Sequence, residues 1–394
     1  MKVLSVSREL PTASKPAAGI HVARRLKAMH SKMDLTVLEV PLYFPWIRPK
    51  PPNHEPILDE FAELNRYRSA AIYTPGIAHA WHGWFMSRAI SEFLDTQHEN
   101  YDMVDAHFGF PEGVAAFEAI SKKGIPLAVT FRGLETDLPR DGMLGSRMRR
   151  ALSYASHCIC VSQSLAEVAE QLGAHPHKIA VVPNAVNSEQ FKPGDKLTSR
   201  TKVDIAADIP MLVSVGHLRD VKRQHILLQS FELLLEHFPK AQLFFIGSET
   251  QEADYTGKLK AYVKTQKLET HVHFLGILSP ELVHQYLVAS DVFVLLSRRE
   301  GSCNAVLEAL ASGTPAIVTA AGENQEIINE NQNGYVVDYD NPEQTAQSIA
   351  RSFSSNFDPQ LISQSIAHRK WDQVGSDLLN LFSSEQGKVQ CASR

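Results

Sequence analysis

The residues best suited to chemistry surround a predicted helix start in the segment 297–319, which reads SRREGSCNAVLEALASGTPAIVT. Gly301 lets the chain turn after an apolar strand, and the next three residues, Ser302, Cys303 and Asn304, suit the first positions of a helix. The first N–H groups of a helix have no partner within it, so they attract phosphate. The sequence therefore predicts a phosphate site at this turn.

Two carboxylates frame the turn, Glu300 in the loop and Glu308 eight residues later in the helix. Glu308 could accept hydrogen bonds from the vicinal hydroxyls of a ribose, as acidic residues do in other nucleotide sites. Glu300 would then face a sugar carried by the phosphate. The alternative is that both are solvated charges near a helix start, each worth under about 1 kcal/mol. Spacing alone leaves both interpretations open.

A second group of polar residues follows an apolar strand in the sequence VGHLRDVKR, residues 215–223. Lys222 could place a mobile positive charge on phosphates and stabilise the negative charge that develops when a sugar leaves. Gly216, His217 and Arg219 would complete this second phosphate-binding element. The alternative is a solvated basic loop.

Three segments in the first half of the chain carry further candidates. His107, in DAHFGFPEG, follows a strand and would point into a cleft, although lone histidines are more often structural. Arg132, in TFRGLE, could pair with Glu135 or reach a phosphate, and pairing is the structural alternative. Gly19 enters a helix, where a glycine permits either close approach of an acceptor or phosphate, or a tight turn without a ligand.

The elements that position these residues alternate between strands and helices along the chain. Short apolar runs rich in β-branched residues, separated by helical segments, predict βαβ units on parallel sheets. The predicted strands are 3–6, 35–40, 103–106, 127–130, 158–161 and 179–182 in a first series, and 211–215, 243–246, 272–275, 292–295 and 316–318 in a second. Ligands of such sheets bind outside the carboxyl ends of the strands, which is where the candidate residues lie.

The length of 394 residues favours two domains, because a single hydrophobic core rarely grows so large. The polar segment 193–210 starts and ends near a proline and is interpreted as the linker. Residues 1–192 are then an N-terminal α/β domain, and residues 211–367 a C-terminal α/β domain that holds both phosphate-binding elements.

Composition and spacing argue against several classes of protein. The formal net charge of −5 is unlike that of a nucleic-acid binder, and the four cysteines lack zinc or CxxC spacing. No Walker loop, nucleophile elbow or glycosidase carboxylate pair is found, so neither a metal nor a cofactor is predicted. The N-terminus does not resemble a signal peptide and no apolar run reaches the roughly 20 residues of a membrane span. We therefore expect a cytoplasmic protein.

The pattern E-G-x-x-x-x-x-x-E-A-x-A-x-G-x-P that begins at Glu300 resembles the donor-site signature of glycosyltransferase family 4. The resemblance extends over nearly the whole chain. Further matching segments are the loop 11–22, HFGFPEG from His107, TFRGLE from Thr130, VPNAVN at 182–187, GHLRDVKR at 216–223 and Trp371-Asp372. The sequence departs from the family pattern where His217 replaces an arginine, Arg223 a glycine and Glu135 an aspartate.

This resemblance implies an α/β fold of the GT-B type, with two tandem Rossmann-like doubly wound domains facing a central cleft. A C-terminal helix, within residues 368–394, would cross back to the N-terminal domain. It also implies a retaining glycosyltransferase that uses a nucleotide-sugar donor, UDP- or GDP-linked, and a glycan or lipid-linked acceptor. The departing phosphate would help to deprotonate the acceptor.

The same resemblance gives the candidate residues their roles. Glu308 would hold the ribose, while Lys222 and the helix end near Ser302 would hold the diphosphate. His107 and Glu300 would address the donor sugar, and Arg219 is the candidate for the second cation that an arginine at position 217 would supply.

A peripheral membrane contact is a further hypothesis, because basic and aromatic side chains together suit a membrane surface. The residues concerned are Trp46, Trp81, Trp84, Arg147, Arg149 and Arg150. The alternative is a solvated helix face and ordinary core tryptophans. Two rival functions also stay open: a GT-B sugar-nucleotide epimerase or phosphorylase, and a non-catalytic nucleotide-sugar-binding protein.

Overall fold

The computed structural model describes residues 1–44, 55–73, 81–249 and 254–384, so Trp46 lies outside the described residues. The chain forms two compact units. The first comprises the described residues up to Asn184 together with those from Trp371 onward, and the second comprises Ala185–Lys370.

The first unit is built on a parallel sheet of seven strands in the order β4-β2-β1-β6-β7-β8-β9, with a separate pair β3-β5. Its strands are β1 (Lys2–Ser7), β2 (Asp34–Glu39), β3 (Leu42–Tyr43), β4 (Asn65–Arg68), β5 (Ala71–Ile72), β6 (Met103–His107), β7 (Leu127–Phe131), β8 (His157–Cys160) and β9 (Ile179–Val181). All residues of β6, β7 and β8 are buried, as expected where helices cover both faces of a parallel sheet.

The second unit is built on a parallel sheet of six strands in the order β12-β11-β10-β13-β14-β15. Its strands are β10 (Met211–Val215), β11 (Gln242–Ile246), β12 (Val272–Gly276), β13 (Val292–Leu295), β14 (Ala316–Thr319) and β15 (Gly334–Val337). Two buried apolar clusters belong to this unit, and side chains of β10 contribute to both, Val213 to one and Leu212 to the other. This confirms the predicted α/β class with two Rossmann-like parallel sheets.

The helices lie between the strands in chain order. They are α1 (Ile20–His30), α2 (His82–Gln97), α3 (Val114–Ile120), α4 (Gly142–Tyr154), α5 (Gln163–Gln171), α6 (Lys196–Lys202), α7 (Gln224–Leu235), α8 (Tyr255–Thr265), α9 (Pro280–Ala289), α10 (Asn304–Ala311), α11 (Asn324–Ile327), α12 (Pro342–Ser354), α13 (Pro359–Ser365) and α14 (Trp371–Ser383). Three of them start with the same local signature, a capping side chain followed by proline at the first helical position. These pairs are Ser279-Pro280, Asn341-Pro342 and Asp358-Pro359.

Each sheet has one point at which the strand order reverses. In the first unit the reversal lies between the paired strands β1 and β6, and in the second between β10 and β13. Loops that leave the carboxyl ends of two such strands diverge and leave a crevice, which is where doubly wound sheets bind ligands. The loops after β10 and β13 carry Lys222 and Glu300, and those after β1 and β6 carry Gly19 and the residues next to His107.

The segment 193–210, interpreted from sequence as a linker, is part of the second unit. Asp195 caps α6 by accepting a hydrogen bond from the Thr198 N–H at 2.7 Å. The buried Arg200 donates to the Ala289 carbonyl at 3.0 Å and pairs with Asp291 at 2.8 Å. The segment looked like a linker because these stabilising contacts are made by polar side chains, which leave no apolar periodicity.

The C-terminal helix α14 packs on α1 in the first unit. Gly375 allows the close approach, since a Cβ there would lie 2.4 Å from the Ala28 carbonyl oxygen. Lys32 and Asp372 form an ion pair of 2.6 Å beside this contact. The crossing back of the chain that the resemblance implied is therefore confirmed.

Candidate active site

Two loops of the second unit meet at an ion pair. We call residues 216–223 the lysine loop and residues 297–304 the glutamate loop. Lys222 Nζ lies 2.5 Å from Glu300 Oε1, and the Ser297 hydroxyl donates to the same oxygen at 2.5 Å. The Arg298 N–H donates to the Val221 carbonyl at 2.9 Å, which joins the loops through the backbone as well. The structure thus brings together the two charged residues that the sequence placed in separate motifs.

The surroundings of this ion pair keep it partly away from water. The Lys222 side chain is 20% exposed and the Glu300 side chain 10% exposed. Salt and solvent screen such a half-buried pair less than a surface pair. A ligand anion that reached Lys222 would still find its ammonium accessible.

The start of the lysine loop depends on two glycines. Gly216 has φ +154°, which favours glycine, and its carbonyl would lie 2.0 Å from a Cβ at Gly247. His217 Nδ1 and the Ser248 hydroxyl oxygen are hydrogen-bonded at 2.5 Å. Burial, assisted by Lys222 and Arg219, lowers the pKa of His217. The imidazole is therefore neutral at neutral pH and does not supply the charge of an arginine. Arg219, two residues further on, is exposed and stays the candidate for that charge.

The turn before α10 is held by its own polar groups. The Asn304 N–H donates to the Ser302 carbonyl at 3.0 Å, so this amide is not unpaired as the sequence suggested. The chain folds back on itself within two residues here, which brings that carbonyl within reach. The Ser302 hydroxyl donates to Glu323 at 2.5 Å, and the buried Cys303 thiol donates to the Ala321 carbonyl at 3.6 Å.

Glu308 lies one helical turn after Asn304, so the two side chains share a face of α10. Both are half-buried. Gly301, which precedes the turn, is buried, and its carbonyl would lie 2.9 Å from a Cβ at Gly322 in the loop after β14. The glutamate loop is therefore packed between the lysine loop and the residues that follow β14.

Sequence reasoning missed Glu323. Its side chain is 1% exposed and accepts hydrogen bonds from Ser302 at 2.5 Å and from Arg369 at 2.8 Å. Burial raises the pKa of Glu323, and Arg369 opposes that effect. The partner lies 46 residues further along the chain, so no local pattern could reveal the pair.

In the first unit, His107 is fully buried. Its Nε2 lies 3.0 Å from the Ser5 hydroxyl and 3.3 Å from Asp105 Oδ2, and its Nδ1 accepts from Arg132 Nε at 3.4 Å. Burial, with Arg25 and Arg132 nearby, holds the pKa of His107 well below its usual value. Both ring nitrogens are thus engaged within the unit, and a role of His107 at the donor sugar stays a prediction.

Glu135 has a structural role as well. Its carboxylate, 1% exposed, accepts three backbone hydrogen bonds, from Gly109 at 2.8 Å, Arg132 at 3.0 Å and Gly133 at 2.9 Å. The expected pairing of Glu135 with the Arg132 side chain is replaced by a bond to the Arg132 backbone, because the guanidinium turns to His107 instead. The extra methylene of glutamate gives the reach for this arrangement.

Gly19 caps α1 with φ +62°, and a Cβ at this position would lie 2.3 Å from the Glu9 carbonyl oxygen. The first turn of α1 contains no acidic residue. Burial, with Arg24 and Arg132 close by, lowers the pKa of His21 to about 3. His21 is therefore neutral, and the positive charge near the start of α1 comes from the Arg24 and Arg132 guanidinium groups, which with the helix N–H groups suit an anion.

Glu112 is a buried acid that sequence reasoning did not select. It is fully buried, its closest charged partner is Arg8 at 3.2 Å, and among the described residues neither of its oxygens has a hydrogen-bond partner. Burial raises the pKa of Glu112 to about 7, with Arg8 opposing and Glu135 adding to the rise.

We expect this pKa to make stability depend on pH. The folded protein binds the Glu112 proton more tightly than the unfolded chain, so the stability it contributes is full below about pH 4.5 and is lost as the pH rises to about 7. Between about pH 5 and pH 7.5, wild-type protein should lose roughly 2 to 3 kcal/mol of unfolding free energy relative to Glu112→Gln, measured by urea unfolding. Parallel curves for the two proteins would contradict this expectation.

The residues proposed for a membrane surface divide into two groups. Trp81 and Trp84 are 51% and 38% exposed, and the Arg88 guanidinium lies 5.2 Å from the Trp84 ring centre. The three arginines of α4 instead contact groups of their own unit. Their partners are Glu118 for Arg147, the Arg140 carbonyl for Arg149 and the Phe117 ring for Arg150.

The described residues contain neither a metal-binding cluster nor a membrane-spanning helix. Among residues 1–44, 55–73, 81–249 and 254–384, no three His, Cys, Asp or Glu side chains come together in a way that could hold a metal ion. Over the same ranges, no helix has both the length and the apolar character that crossing a bilayer requires.

Comparison with known proteins agrees with this geometry. The family described as "Glycosyltransferase Family 4" matches residues 19–190, and "Glycosyl transferases group 1" matches residues 195–367. The chain is similar to the putative teichuronic acid biosynthesis glycosyltransferase TuaC of Bacillus subtilis, with 27% identity over 84% of each chain. It is also 27% identical to the N-acetyl-alpha-D-glucosaminyl L-malate synthase of Bacillus anthracis, over 61% of this chain and 62% of that one.

A further match in sequence covers only part of the chain, whereas the matches in fold cover nearly all of it. The spore coat protein SA of Bacillus subtilis is 31% identical, but the match spans only 48% of its length and 44% of this chain. The sucrose-phosphate synthase of Thermosynechococcus elongatus has a TM-score of 0.77 at 17% identity, over 100% of both chains. Anabaena HepE in complex with UDP has a TM-score of 0.75 at 18% identity, over 97% of this chain and 100% of that one. With both halves matched and the lysine and glutamate loops in place, the chain belongs to the family 4 glycosyltransferases of GT-B fold.

Proposed function

We propose that this protein is a retaining glycosyltransferase that transfers a sugar from a UDP- or GDP-linked donor to a glycan or lipid-linked acceptor. The observation that carries the proposal is the Lys222–Glu300 pair at the reversal point of the second sheet. One protein of similar fold supports the donor class, since two solved structures of Anabaena HepE contain UDP and UDP-glucose respectively.

Lys222 binds the donor diphosphate in this proposal. Its ammonium pairs with Glu300. A diphosphate carries more negative charge than one carboxylate, so it competes for the ammonium and releases the Glu300 oxygens toward the donor sugar hydroxyls. The exposed Arg219 adds a second positive charge at the mouth of the loop. Gly216 lets the backbone of the lysine loop approach the phosphates.

The glutamate loop and α10 bind the rest of the nucleotide. The turn at Ser302 and Cys303 places the start of α10 beside the phosphates, where the helix dipole favours an anion. Glu308 and Asn304 lie on one face of the helix. The Glu308 carboxylate accepts hydrogen bonds from the ribose hydroxyls, and the Asn304 amide donates to a ribose oxygen.

The chemical step breaks the bond between the sugar anomeric carbon and the diphosphate oxygen, and the electron pair goes to the diphosphate. The acceptor hydroxyl oxygen forms the new bond to the same carbon, on the face that the diphosphate leaves, and its proton passes to the departing phosphate. Lys222 stabilises the charge that develops on this phosphate. Because the lysine supplies this charge, we expect turnover to be the same with and without a chelator of divalent metals.

The first unit holds the acceptor. The electropositive start of α1 at Gly19, together with Arg132, suits a phosphate group such as that of a lipid-linked acceptor. His107 acts through Arg132, because its Nδ1 accepts the guanidinium hydrogen bond and fixes its direction. Exposed Trp81 and Trp84 support a peripheral contact with the cytoplasmic face of a membrane, where such an acceptor would reside.

The test is a screen of UDP- and GDP-sugars for a rise in melting temperature, because a ligand that binds only the folded state raises its stability. A sugar nucleotide that gives such a rise should then release nucleoside diphosphate only when an acceptor is present. Conversion of the donor without an acceptor would indicate an epimerase and contradict the proposal. Donor binding with no release across a panel of phosphorylated and glycan acceptors would indicate a binding protein.

A further inference from the structure

A buried carboxylate links the glutamate loop to the end of the second unit. Glu323 has its two oxygens occupied by different partners, Oε1 by the Ser302 hydroxyl at 2.5 Å and Oε2 by Arg369 Nη2 at 2.8 Å. This one carboxylate, 1% exposed, pairs with the positive charge of Arg369 and accepts the hydroxyl hydrogen bond of Ser302. Ser302 and Arg369 are therefore mechanically connected although they are far apart in sequence.

Arg369 stands where the chain leaves the second unit. The chain passes from the first unit to the second between Asn184 and Ala185, and returns between Lys370 and Trp371. The Val186 N–H donates to the Arg369 carbonyl at 3.2 Å, so the two crossings are hydrogen-bonded to each other. The side chain of Arg369 is thus linked through Glu323 to the glutamate loop, and its backbone carbonyl is hydrogen-bonded to the other crossing at Val186.

The residues next to Glu323 pack directly against the glutamate loop. Gly322 has φ +63°, and a Cβ there would lie 2.9 Å from both Glu300 Cβ and the Gly301 carbonyl. The Cys303 thiol donates to the Ala321 carbonyl. A tightly packed contact of this kind has few intermediate arrangements, so a change at Ser302 is passed to Glu323.

A serine hydroxyl has one proton to donate. The Ser302 hydroxyl uses that proton in its hydrogen bond to Glu323. A phosphate oxygen bound at the turn competes for the same proton, and Glu323 is then left with Arg369 as its hydrogen-bond donor at this position. Guanidinium and carboxylate form two parallel hydrogen bonds when both oxygens are free, which holds the arginine more firmly.

We propose that Glu323 is a positioning residue that transmits occupancy of the Ser302 turn to the paired crossings at Val186 and Arg369. This inference rests on the proposed function, because the occupant is the diphosphate of the donor. A nucleoside diphosphate that binds at Ser302 strengthens the Glu323–Arg369 pair, and the firmer arginine stabilises the hydrogen bond from Val186. Donor binding thereby stabilises the hydrogen bond between Val186 and Arg369.

Amide-resolved hydrogen exchange tests this, with UDP and GDP as separate probes. In wild-type protein the nucleotide that binds should slow exchange at Val306 and Leu307 in α10, and also at the Val186 amide, by several-fold. Glu323→Gln should keep the slowing in α10 and lose it at Val186, since the neutral amide no longer holds Arg369 by charge. Slowing at Val186 that is equal in both proteins, or slowing in α10 with none at Val186 in wild type, would overturn the inference.

Absence of slowing in α10 with either nucleotide would overturn the proposed function itself, and the inference with it. A second measurement covers the case in which Glu323→Gln folds poorly. Ser302→Ala and Arg369→Met do not touch each other's side chains, so their effects on nucleotide affinity should add unless Glu323 couples them. We expect the effect of Arg369→Met to shrink by at least about twofold in the Ser302→Ala background.

Lys240→Met is the matched control for this cycle, because Lys240 forms an exposed ion pair with Asp208 in the same unit. Its effect should be additive with Ser302→Ala. Full additivity of Arg369→Met as well would overturn the assignment of Glu323 as the coupling residue.

Discussion

Lys222→Ala lowers kcat by about 10²- to 10³-fold, the size of effect seen when a group that stabilises transition-state charge is removed. Lys222 is the cation placed at the reversal point of the second sheet, and its partner Glu300 would be left without it. Glu300→Ala should lower kcat severely as well, because the donor sugar then loses its acceptor of hydrogen bonds. Initial-rate measurement of nucleoside diphosphate release gives kcat and KM separately.

The control for this prediction is Lys260→Ala. Lys260 also pairs with a glutamate, Glu249, at 2.6 Å in the second unit, but both side chains are about half exposed. Its rate should equal that of wild type. The melting temperature of Lys222→Ala, measured beside that of wild type, shows how far the loss of the partner of Glu300, which is 10% exposed, destabilises the second unit. A wild-type rate in Lys222→Ala would remove Lys222 from the chemistry.

Glu135→Ala destabilises the first unit by roughly 2 to 4 kcal/mol. The carboxylate accepts one buried backbone N–H, of Gly109, and two part-buried ones, of Arg132 and Gly133, and a buried donor left without a partner costs roughly 1 to 3 kcal/mol. Urea unfolding followed by tryptophan fluorescence measures this directly. The described tryptophans, Trp81, Trp84 and Trp371, all lie in the first unit, so the signal reports on that unit.

Glu99→Ala serves as the comparison for Glu135→Ala. Glu99 is a surface carboxylate of the first unit, 42% exposed and paired with Lys2 at 3.0 Å. Its loss should shift the urea midpoint far less than the loss of Glu135, because water screens a surface ion pair. If the two variants unfolded at the same urea concentration, Glu135 would not be holding the three amides as the structure shows.

The sequence predicted the sheets well because buried parallel strands are written as continuous apolar runs. Each predicted strand overlaps an observed one. The strands β4 and β15 were missed for separate reasons. Residues 65–68 read NRYR, a polar strand at the sheet edge without an apolar pattern. β15 begins at Gly334, which weakens strand propensity but is required because a Cβ there would lie 1.9 Å from the Ala316 carbonyl.

The sequence predicted candidate residues only where they lie in a short segment directly after a strand. Lys222 and Glu300 each sit in a loop after a strand, and the strand order brings those loops together. The buried carboxylates Glu112 and Glu323 could not be found, because their partners are distant in sequence and no spacing rule connects them. His107 lies in a recognisable segment, yet only the packing shows that both of its ring nitrogens are used internally.

A diphosphate bound between the lysine loop and the start of α10 is the central expectation, and a crystal structure of the protein with UDP or GDP tests it directly. We predict that the diphosphate lies within hydrogen-bond distance of Lys222 Nζ and the Ser302 hydroxyl, with the ribose at Glu308. A nucleotide bound at any other edge of the second sheet, with Lys222 still paired to Glu300, would contradict the account.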